Sequence, residues 1–375
     1  MEDCVIEYQK LPEWELLTRA CLAEEHDKIE KIATIWCQKA NPHDMDYKSM
    51  RLVPYFLDHL KKFNIPVPHE KRLKVIYKYW WLKSSWILHE LDRITELFHS
   101  QGISLMVTKG AALNQFYDKP LHRTMVDIDI IVPQNQVVKA FELLVDHGFR
   151  GEMKLCKLYK YFPKMTRSRR HAFYLINKKS GLQIDLHWAM GNYLPEEVMD
   201  YTWKNALQDT NNNKRKLPPK HVLFVMNAIN GVMSQDHHGN WILDSKILLS
   251  SFSQKDLTEL RDFVAINKFP VWHHVHNSFR QFGIEHESLG MDFEKYTEEI
   301  PEIAKIREQP TLLKMARTFV INFGCELALR KLVNNEPSLV SFAFYYLMAK
   351  IAMLILFPFV SEQKQALQWK EHRSI

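Results

Sequence analysis

The feature that most constrains this chain is a short apolar run containing two aspartates, Asp127-Ile128-Asp129, which ends at Pro133. Its apolar members are all β-branched, which predicts a strand: Val126, Ile128, Ile130, Ile131 and Val132. Residues i and i+2 of a strand lie on one face, so Asp127 and Asp129 direct two carboxylates to the same place. Two such anions repel each other unless a cation or a proton lies between them. Mg²⁺ is a hard ion that prefers oxygen ligands, and the run therefore predicts a magnesium site.

A glycine-containing turn precedes this strand. The sequence predicts a first strand over Ile103 to Val107, which leads through Thr108-Lys109-Gly110 into a helix from Ala111 to Phe116. A glycine between a strand and a helix lets a phosphate group approach the backbone N–H groups at the helix start. We therefore expect a phosphate group near Gly110, with Lys109 beside it.

A third carboxylate follows further along the chain. The segment from Gln183 to Trp188 alternates polar and apolar residues, which places Gln183, Asp185 and His187 on one face of a strand. Asp185 can thus join the first two carboxylates at the same metal ions. Three carboxylates that hold two metal ions around a phosphate group are the device used for in-line phosphoryl or nucleotidyl transfer.

This pattern of residues resembles that of the nucleotidyltransferase superfamily, whose palm is like that of DNA polymerase beta. It resembles in particular a large, mostly uncharacterised bacterial family within this superfamily. The resemblance rests on Lys109-Gly110, Asp127-Ile128-Asp129 and Asp185-Leu186-His187-Trp188, with Tyr117 and Arg123 between them. It is close in the middle of the chain and weaker in the helical remainder. One departure stands out, because the superfamily usually has Gly-Ser at the turn and Ala111 follows Gly110 here. The serine hydroxyl that would contact phosphate is missing.

The resemblance implies a set of catalytic and binding residues. Asp127, Asp129 and Asp185 would be catalytic and would hold two Mg²⁺ (or Mn²⁺) ions, and Asp185 would orient or deprotonate the attacking hydroxyl. The expected reaction moves an NMP from an NTP, such as ATP, to an acceptor that bears a hydroxyl group, and it releases pyrophosphate. The residues expected to bind the nucleotide are Lys109, Gly110, Ala111, Arg123 and His187. A surface ion pair for Arg123 and a hydrogen-bonded structural role for His187 remain open.

Length and composition predict the class of fold. The 375 residues suffice for two or three domains or subdomains. We expect an α+β fold in which a small mixed-sheet nucleotidyltransferase palm, residues 101–192, is embedded between mainly helical N- and C-terminal regions, residues 1–100 and 193–375. Five scattered cysteines without metal spacing indicate a reducing compartment, and the N-terminus has no signal-peptide pattern, so a cytoplasmic location is expected.

The helical regions contain several features with two interpretations. A long helix is predicted from Glu70 to Ser100, and its cluster of Tyr77, Tyr79, Trp80, Trp81 and Trp86 favours core packing over stacking on bases. A linker is predicted near Asp209 to Pro219. For Asp244, which resembles a recurring aspartate of the family, a helix-end or packing role is favoured over catalysis. The histidines 237–238 and 273–276 lack a clear metal spacing, so a zinc site is not favoured.

The run from Leu339 to Val360 is about long enough to cross a bilayer. A charge at Lys350 in mid-run and a break at Pro358 oppose a membrane span, as does the solubility of the family that the chain resembles. A helix buried between subdomains explains the run equally well. Peripheral membrane contact through residues 339–360 is the other interpretation that stays open.

Two alternatives from other functional classes remain. One is a nucleotide-binding or toxin–antitoxin-type interaction module without catalysis, which the intact carboxylates at all three positions oppose. The other is a nucleic-acid-binding protein that uses the basic segment Arg150 to Lys179, where ten Lys or Arg residues accompany one Glu. No base-reading motif accompanies that segment, so nucleic acid is not favoured. The segment is interpreted either as a steering surface for an anionic substrate or as a solvated loop. The sequence specifies neither the acceptor, nor the base of the NTP, nor the oligomeric state.

Overall fold

The computed structural model describes seven stretches of the chain, and all structural statements below concern these residues: 8–67, 69–119, 121–167, 170–190, 196–233, 239–267 and 272–284. Three features discussed above lie outside them. These are the run from Leu339 to Val360, the histidine pair His237-His238 and the side chains of His273 and His274.

The described N-terminal residues form four helices: α1 (Glu13–Leu22), α2 (His26–Lys39), α3 (Tyr47–Lys62) and α4 (Glu70–Ser100). Asp46 caps the start of α3, because its Oδ1 atom accepts hydrogen bonds from the backbone N–H groups of Lys48 and Ser49 at 2.9 and 3.0 Å. The helix α4 has the predicted bounds, and its buried residues recur at steps of three and four. They are Leu73, Ile76, Trp80, Ser84, Ile87, Leu91, Ile94, Thr95 and Phe98.

The aromatic cluster of α4 is divided between core and surface. Core packing is confirmed for Trp80, which is fully buried. The same prediction is wrong for Tyr79 and Trp81, whose residues are 50% and 45% exposed. Neighbouring positions on a helix face different directions, and a run of consecutive aromatic residues therefore cannot all point into one core.

Seven short strands form one mixed sheet in the order β3-β4-β5-β2-β1-β7-β6. In chain order they are β1 (Met106–Val107), β2 (Ile128–Ile131), β3 (Phe149–Gly151), β4 (Ala172–Asn177), β5 (Gln183–His187), β6 (Leu207–Gln208) and β7 (Lys216–Leu217). The strand that carries the aspartates, β2, pairs antiparallel with β1, with Met106 opposite Ile131 and Val107 opposite Ile130. All four residues of β2 are buried, and three of them are isoleucines, as expected of a strand in the middle of a sheet.

Short helices connect the strands. The helix α5 (Lys109–Leu113) follows β1 and continues into a 3₁₀ turn over Asn114–Phe116, close to the predicted helix. After β2 the chain forms α6 (Val137–Asp146), and Gly148, with a φ of 89°, takes the left-handed conformation that ends this helix. The helices α7 (Met153–Tyr161) and α8 (Pro163–Arg167) lie between β3 and β4. The segment from Arg150 to Lys179 therefore contains two helices and two strands and is not simply a loop.

The described C-terminal residues are mainly helical, as predicted. They form α9 (Glu196–Lys204), α10 (Lys220–Met233), α11 (Asn240–Ser250), α12 (Gln254–Asn267) and α13 (Trp272–Gln281). The linker predicted near Asp209 to Pro219 is wrong, because this segment includes β7, which pairs antiparallel with β6 and parallel with β1. The backbone N–H of Lys216 donates to the carbonyl of Leu105 at 2.9 Å. The α+β class and the mixed sheet among helices are confirmed.

Counting only described residues, the chain divides into two compact units. The first comprises residues 8–132, 182–185 and 200–284, and the second comprises residues 133–181 and 186–199. Within the part of the chain that the structure describes, no helix combines the length and the apolar composition that a membrane span requires.

Candidate active site

The turn between β1 and α5 lies directly beside the aspartate strand. The backbone N–H of Thr108 donates to the carbonyl of Asp129 at 3.2 Å, which continues the pairing of β1 with β2 into the turn. Lys109 then adopts a left-handed conformation with a φ of 48°, which is uncommon for a residue with a side chain. A Cβ atom at Gly110 would lie 3.3 Å from Cγ of Met125 and 3.9 Å from Cζ of Arg123. The glycine thus allows close packing of the turn against residues 123–125.

The two aspartates of the Asp-x-Asp pattern occupy different environments. Asp129 lies within β2 and is only 5% exposed. Asp127 precedes the strand and is partly exposed. Burial raises the pKa of Asp127 to about 6, and the negative charge of Asp129 contributes to this rise. Asp185 on β5 acts in the same direction, while Lys109 opposes it. The sequence-based expectation that these carboxylates repel one another thus agrees with the electrostatics of the folded chain.

Lys109 provides a cation that the strand sequence alone did not reveal. Its Nζ atom lies 2.6 Å from Oδ1 of Asp129 in a hydrogen-bonded ion pair. Burial alone would lower the pKa of Lys109, but the adjacent Asp129 carboxylate outweighs it and the pKa is raised. The charges of Asp185 and Asp127 act in the same direction. The side chain predicted to receive phosphate therefore forms an ion pair with the predicted metal ligand Asp129.

One group of potential metal ligands meets at this place among the described residues. Asp129, Asp185 and His187 each offer a ligand atom, and these atoms lie within 4.8 Å of one another. Asp185 and His187 are two residues apart on β5 and share a face, as the alternating pattern predicted. Asp127 lies outside this group. Two carboxylates with one imidazole fit a divalent cation that accepts oxygen and nitrogen ligands, which favours Mn²⁺ as much as Mg²⁺.

Arg123 forms a buried ion pair rather than a surface one. Its Nε atom lies 2.7 Å from Oδ1 of Asp244 on α11, and the exposed fractions of the two side chains are 11% and 0%. The hydroxyl of Tyr117 donates to Oδ1 of the same carboxylate at 2.6 Å. The Arg123 Nη1 atom donates to the carbonyl of Thr124. Asp244 is therefore the charge partner of Arg123, which agrees with the packing role favoured for it.

Arg51 on α3 is a neighbour that the sequence did not single out. Its Nε atom donates to Oγ1 of Thr124 at 3.4 Å, and one Nη atom donates to the carbonyl of Thr124 at 3.5 Å. The Thr124 hydroxyl donates in turn to the carbonyl of Arg51 at 3.1 Å. Arg51 is 73 residues away from Thr124 in sequence, so no local pattern could predict this contact. No motif surrounds it.

A turn with a glycine between strand and helix, an Asp-x-Asp strand and an acidic neighbouring strand define a palm of the nucleotidyltransferase class. Comparison with protein families matches residues 47–266, more than half of the chain, to a family described as an uncharacterised nucleotidyltransferase, and the chain belongs to this family. This membership makes the chain a transferase-family protein with a general role in nucleotidyl transfer and an NTP substrate. Nucleotidyltransferases generally use divalent metal ions. A search of curated proteins finds no match.

Proposed function

We propose that this protein transfers an NMP from an NTP to a hydroxyl group of an acceptor and releases pyrophosphate. The observation that carries the proposal is the convergence of Asp129 and Asp185 within ligand distance of one another, next to Asp127 and beside the turn at Gly110. The proposed site lies in the palm, residues 101–192. Membership of the nucleotidyltransferase family supplies the reaction class, and the carboxylates supply the chemistry that this class requires.

The residues at the site fit a divalent cation. Asp129, Asp185 and His187 would hold it, and Asp127 would complete a second position close by. A bound divalent ion supplies positive charge that stabilises the negative charge developing on the transferred phosphoryl group. The raised pKa of Asp127 fits this role, since a carboxylate that repels its neighbours gains most from an added cation.

The side chains of the site have distinct proposed tasks. The turn of Lys109, Gly110 and Ala111 would receive the triphosphate through backbone N–H groups. Lys109 would hold the Asp129 carboxylate in position through the ion pair at 2.6 Å. Asp185 would orient the acceptor hydroxyl and take its proton as the oxygen attacks the α-phosphorus. The bond between the α-phosphorus and the bridging oxygen then breaks, and pyrophosphate leaves. His187 would bind the metal ion together with Asp129 and Asp185.

The test is the transfer of an α-labelled nucleotide to an acceptor, measured next to a binding titration. Asp185→Asn should lower kcat by roughly 10²-fold or more if it removes a general base, while NTP affinity falls much less. Asp185→Glu keeps the charge but displaces it by one methylene group and should restore little activity. An exposed aspartate, Asp262, provides the matched control as Asp262→Asn. The same assay is repeated with a γ-labelled NTP. Label that reaches the acceptor only from the γ-position would indicate a kinase and would refute the proposal.

A further inference from the structure

The cations around the turn at Gly110 differ in their partners. Lys109 is paired with Asp129 at 2.6 Å, and Arg123 is paired with Asp244 at 2.7 Å. Arg51 forms no ion pair with a carboxylate among the residues that the structure describes. Among the described residues, its side chain donates hydrogen bonds only to Thr124, at 3.4 and 3.5 Å, which is beyond the usual range for N–H donors.

The guanidinium of Arg51 therefore has donors that remain available. An arginine has five N–H groups in a planar fork, and long contacts with Thr124 use two of them weakly. The residue is only partly exposed, so it is removed from much of the surrounding water yet can be reached from solvent. A largely buried cation without a direct ion pair among the described residues is costly, and an anionic ligand would reduce that cost.

The electrostatics of this place agree with an anion site. Burial, together with the like charge of Arg123, lowers the pKa of Arg51 to about 10, while Asp244 and Asp127 oppose the shift. Arg51 keeps its charge at neutral pH. Arg51 and Arg123 both donate to the carbonyl of Thr124, and Cζ of Arg123 is 3.9 Å from the position of a Cβ atom on Gly110. Arg51 is thus a cation that contacts Thr124, between Arg123 and Met125, the two residues that pack against the turn at Gly110.

We propose that Arg51 is a phosphate-binding residue that contacts the triphosphate of the NTP. It would supply a side-chain donor at a turn where Ala111, the residue after Gly110, has none. A planar guanidinium can bind two phosphate oxygens at once, which a single hydroxyl cannot do. This inference rests on the proposed function for the identity of the ligand, but the contact itself requires no turnover. Arg51 belongs to α3, outside the palm segment of the sequence.

The experiment measures binding of tripolyphosphate with Mg²⁺ by calorimetry, using the full-length chain. Tripolyphosphate carries no base and no sugar, so it isolates the phosphate contact. Arg51→Ala should weaken binding of tripolyphosphate and of NTP by roughly 10- to 100-fold, the effect expected when a charge-assisted hydrogen bond is lost. Binding of the matching nucleoside should not change. Arg51→Lys should restore part of the affinity, because it keeps the charge but not the fork.

Arg72→Ala provides the matched control. Arg72 is also partly exposed, it forms no described ion pair, and its Nε atom donates only to the backbone carbonyl of Pro42 at 3.3 Å. This variant should bind tripolyphosphate like the wild type. If Arg51→Ala does not fold, as judged by thermal unfolding, Arg51→Gln and Arg51→Lys carry the comparison.

The outcomes separate the inference from the proposed function. Loss of tripolyphosphate binding in the Arg51 variants, without nucleotide transfer by the wild type, would support the inference and refute the function. Nucleotide transfer by the wild type, with unchanged tripolyphosphate affinity in the Arg51 variants, would support the function and overturn the inference. Wild-type protein that does not bind tripolyphosphate at all would also overturn the inference.

Discussion

At the scale of single residues, the negative charge of Asp127 destabilises the folded state of the metal-free protein. Burial and the charge of Asp129 raise its pKa from 3.8 to about 6. The folded chain therefore binds a proton at Asp127 more tightly than the unfolded chain does. Stability from this group is present when the carboxyl is protonated, and it is lost as the pH rises from about 4 to about 6. Above that window the ionised carboxylate opposes folding unless a cation neutralises it.

This argument predicts the behaviour of Asp127→Asn. In the metal-free protein with a chelator, the variant should unfold at a higher temperature than the wild type at pH values well above 6. The difference should shrink as the pH falls through 6, because the wild-type carboxyl then takes up a proton. Thermal unfolding across a pH series measures both effects. Added Mg²⁺ should stabilise the wild type much more than the variant, and equal stabilisation of both would contradict a metal role for Asp127.

At the scale of elements, a buried ion pair joins the segment before β2 to the helix α11. Arg123 lies four residues before Asp127, and Asp244 lies in α11, so their contact holds the two elements together. Both side chains are largely removed from water, and Tyr117 adds a third polar group to the same carboxylate. Removing one member leaves a buried charge without a partner, which is more costly than removing both.

We therefore expect Asp244→Asn to destabilise the protein by roughly 3–5 kcal/mol, the range for breaking a buried pair from one side. The double variant Arg123→Met, Asp244→Asn should be less destabilised than the sum of its single variants, because no unpaired charge remains. Urea unfolding of the wild type, the single variants Arg123→Met and Asp244→Asn, and the double variant gives the coupling energy. The exposed pair of Lys74 and Glu70, 2.9 Å apart, serves for comparison, and Glu70→Gln should change stability far less than Asp244→Asn. Additive effects at Arg123 and Asp244 would show that the pair is not coupled.

Elements with a strong local pattern could be predicted from the sequence. The bounds of α4 follow from apolar residues at steps of three and four, and β5 follows from strict alternation. The first strand was predicted over five residues, from Ile103 to Val107, but β1 contains only Met106 and Val107. Ile103 and Leu105 are buried next to β1 but lie outside it, so the apolar pattern predicts a longer strand than the structure has.

Other parts of the fold depend on partners that are distant in sequence. The strands β6 and β7 contain two residues each, which is too short for any alternation to be visible. They form because Lys216 bonds to Leu105 and because Arg215 pairs with Asp209 across the turn at 2.5 Å. The pair of Arg123 and Asp244 likewise spans 121 positions. Such contacts depend on the packing of the whole chain, and no local motif predicts them.

At the scale of the whole molecule, charge is distributed unevenly. The chain has a formal net charge of +6, yet the segment from Arg150 to Lys179 alone holds ten basic residues and one Glu. In α7, Lys154, Lys157 and Lys160 are exposed, while Cys156, Leu158 and Tyr159 are buried. The lysines thus form the solvated face of an amphipathic helix, which explains their presence without any substrate. A substrate as negative as an NTP would still be attracted by their combined field.

Neutralising this face tests whether that field matters. The triple variant Lys154→Gln, Lys157→Gln, Lys160→Gln should raise the KM for NTP and weaken the dependence of kcat/KM on salt, with kcat less affected, because steering acts on encounter rather than on chemistry. The control replaces three exposed lysines of α4 in the same way, Lys71→Gln, Lys74→Gln and Lys78→Gln, which changes the net charge equally. Steady-state kinetics over a range of ionic strength compare the α7 triple variant with the α4 triple variant. Equal changes in both triple variants would assign the effect to net charge alone, and no change in the α7 variant would leave its lysines as a solvated surface only.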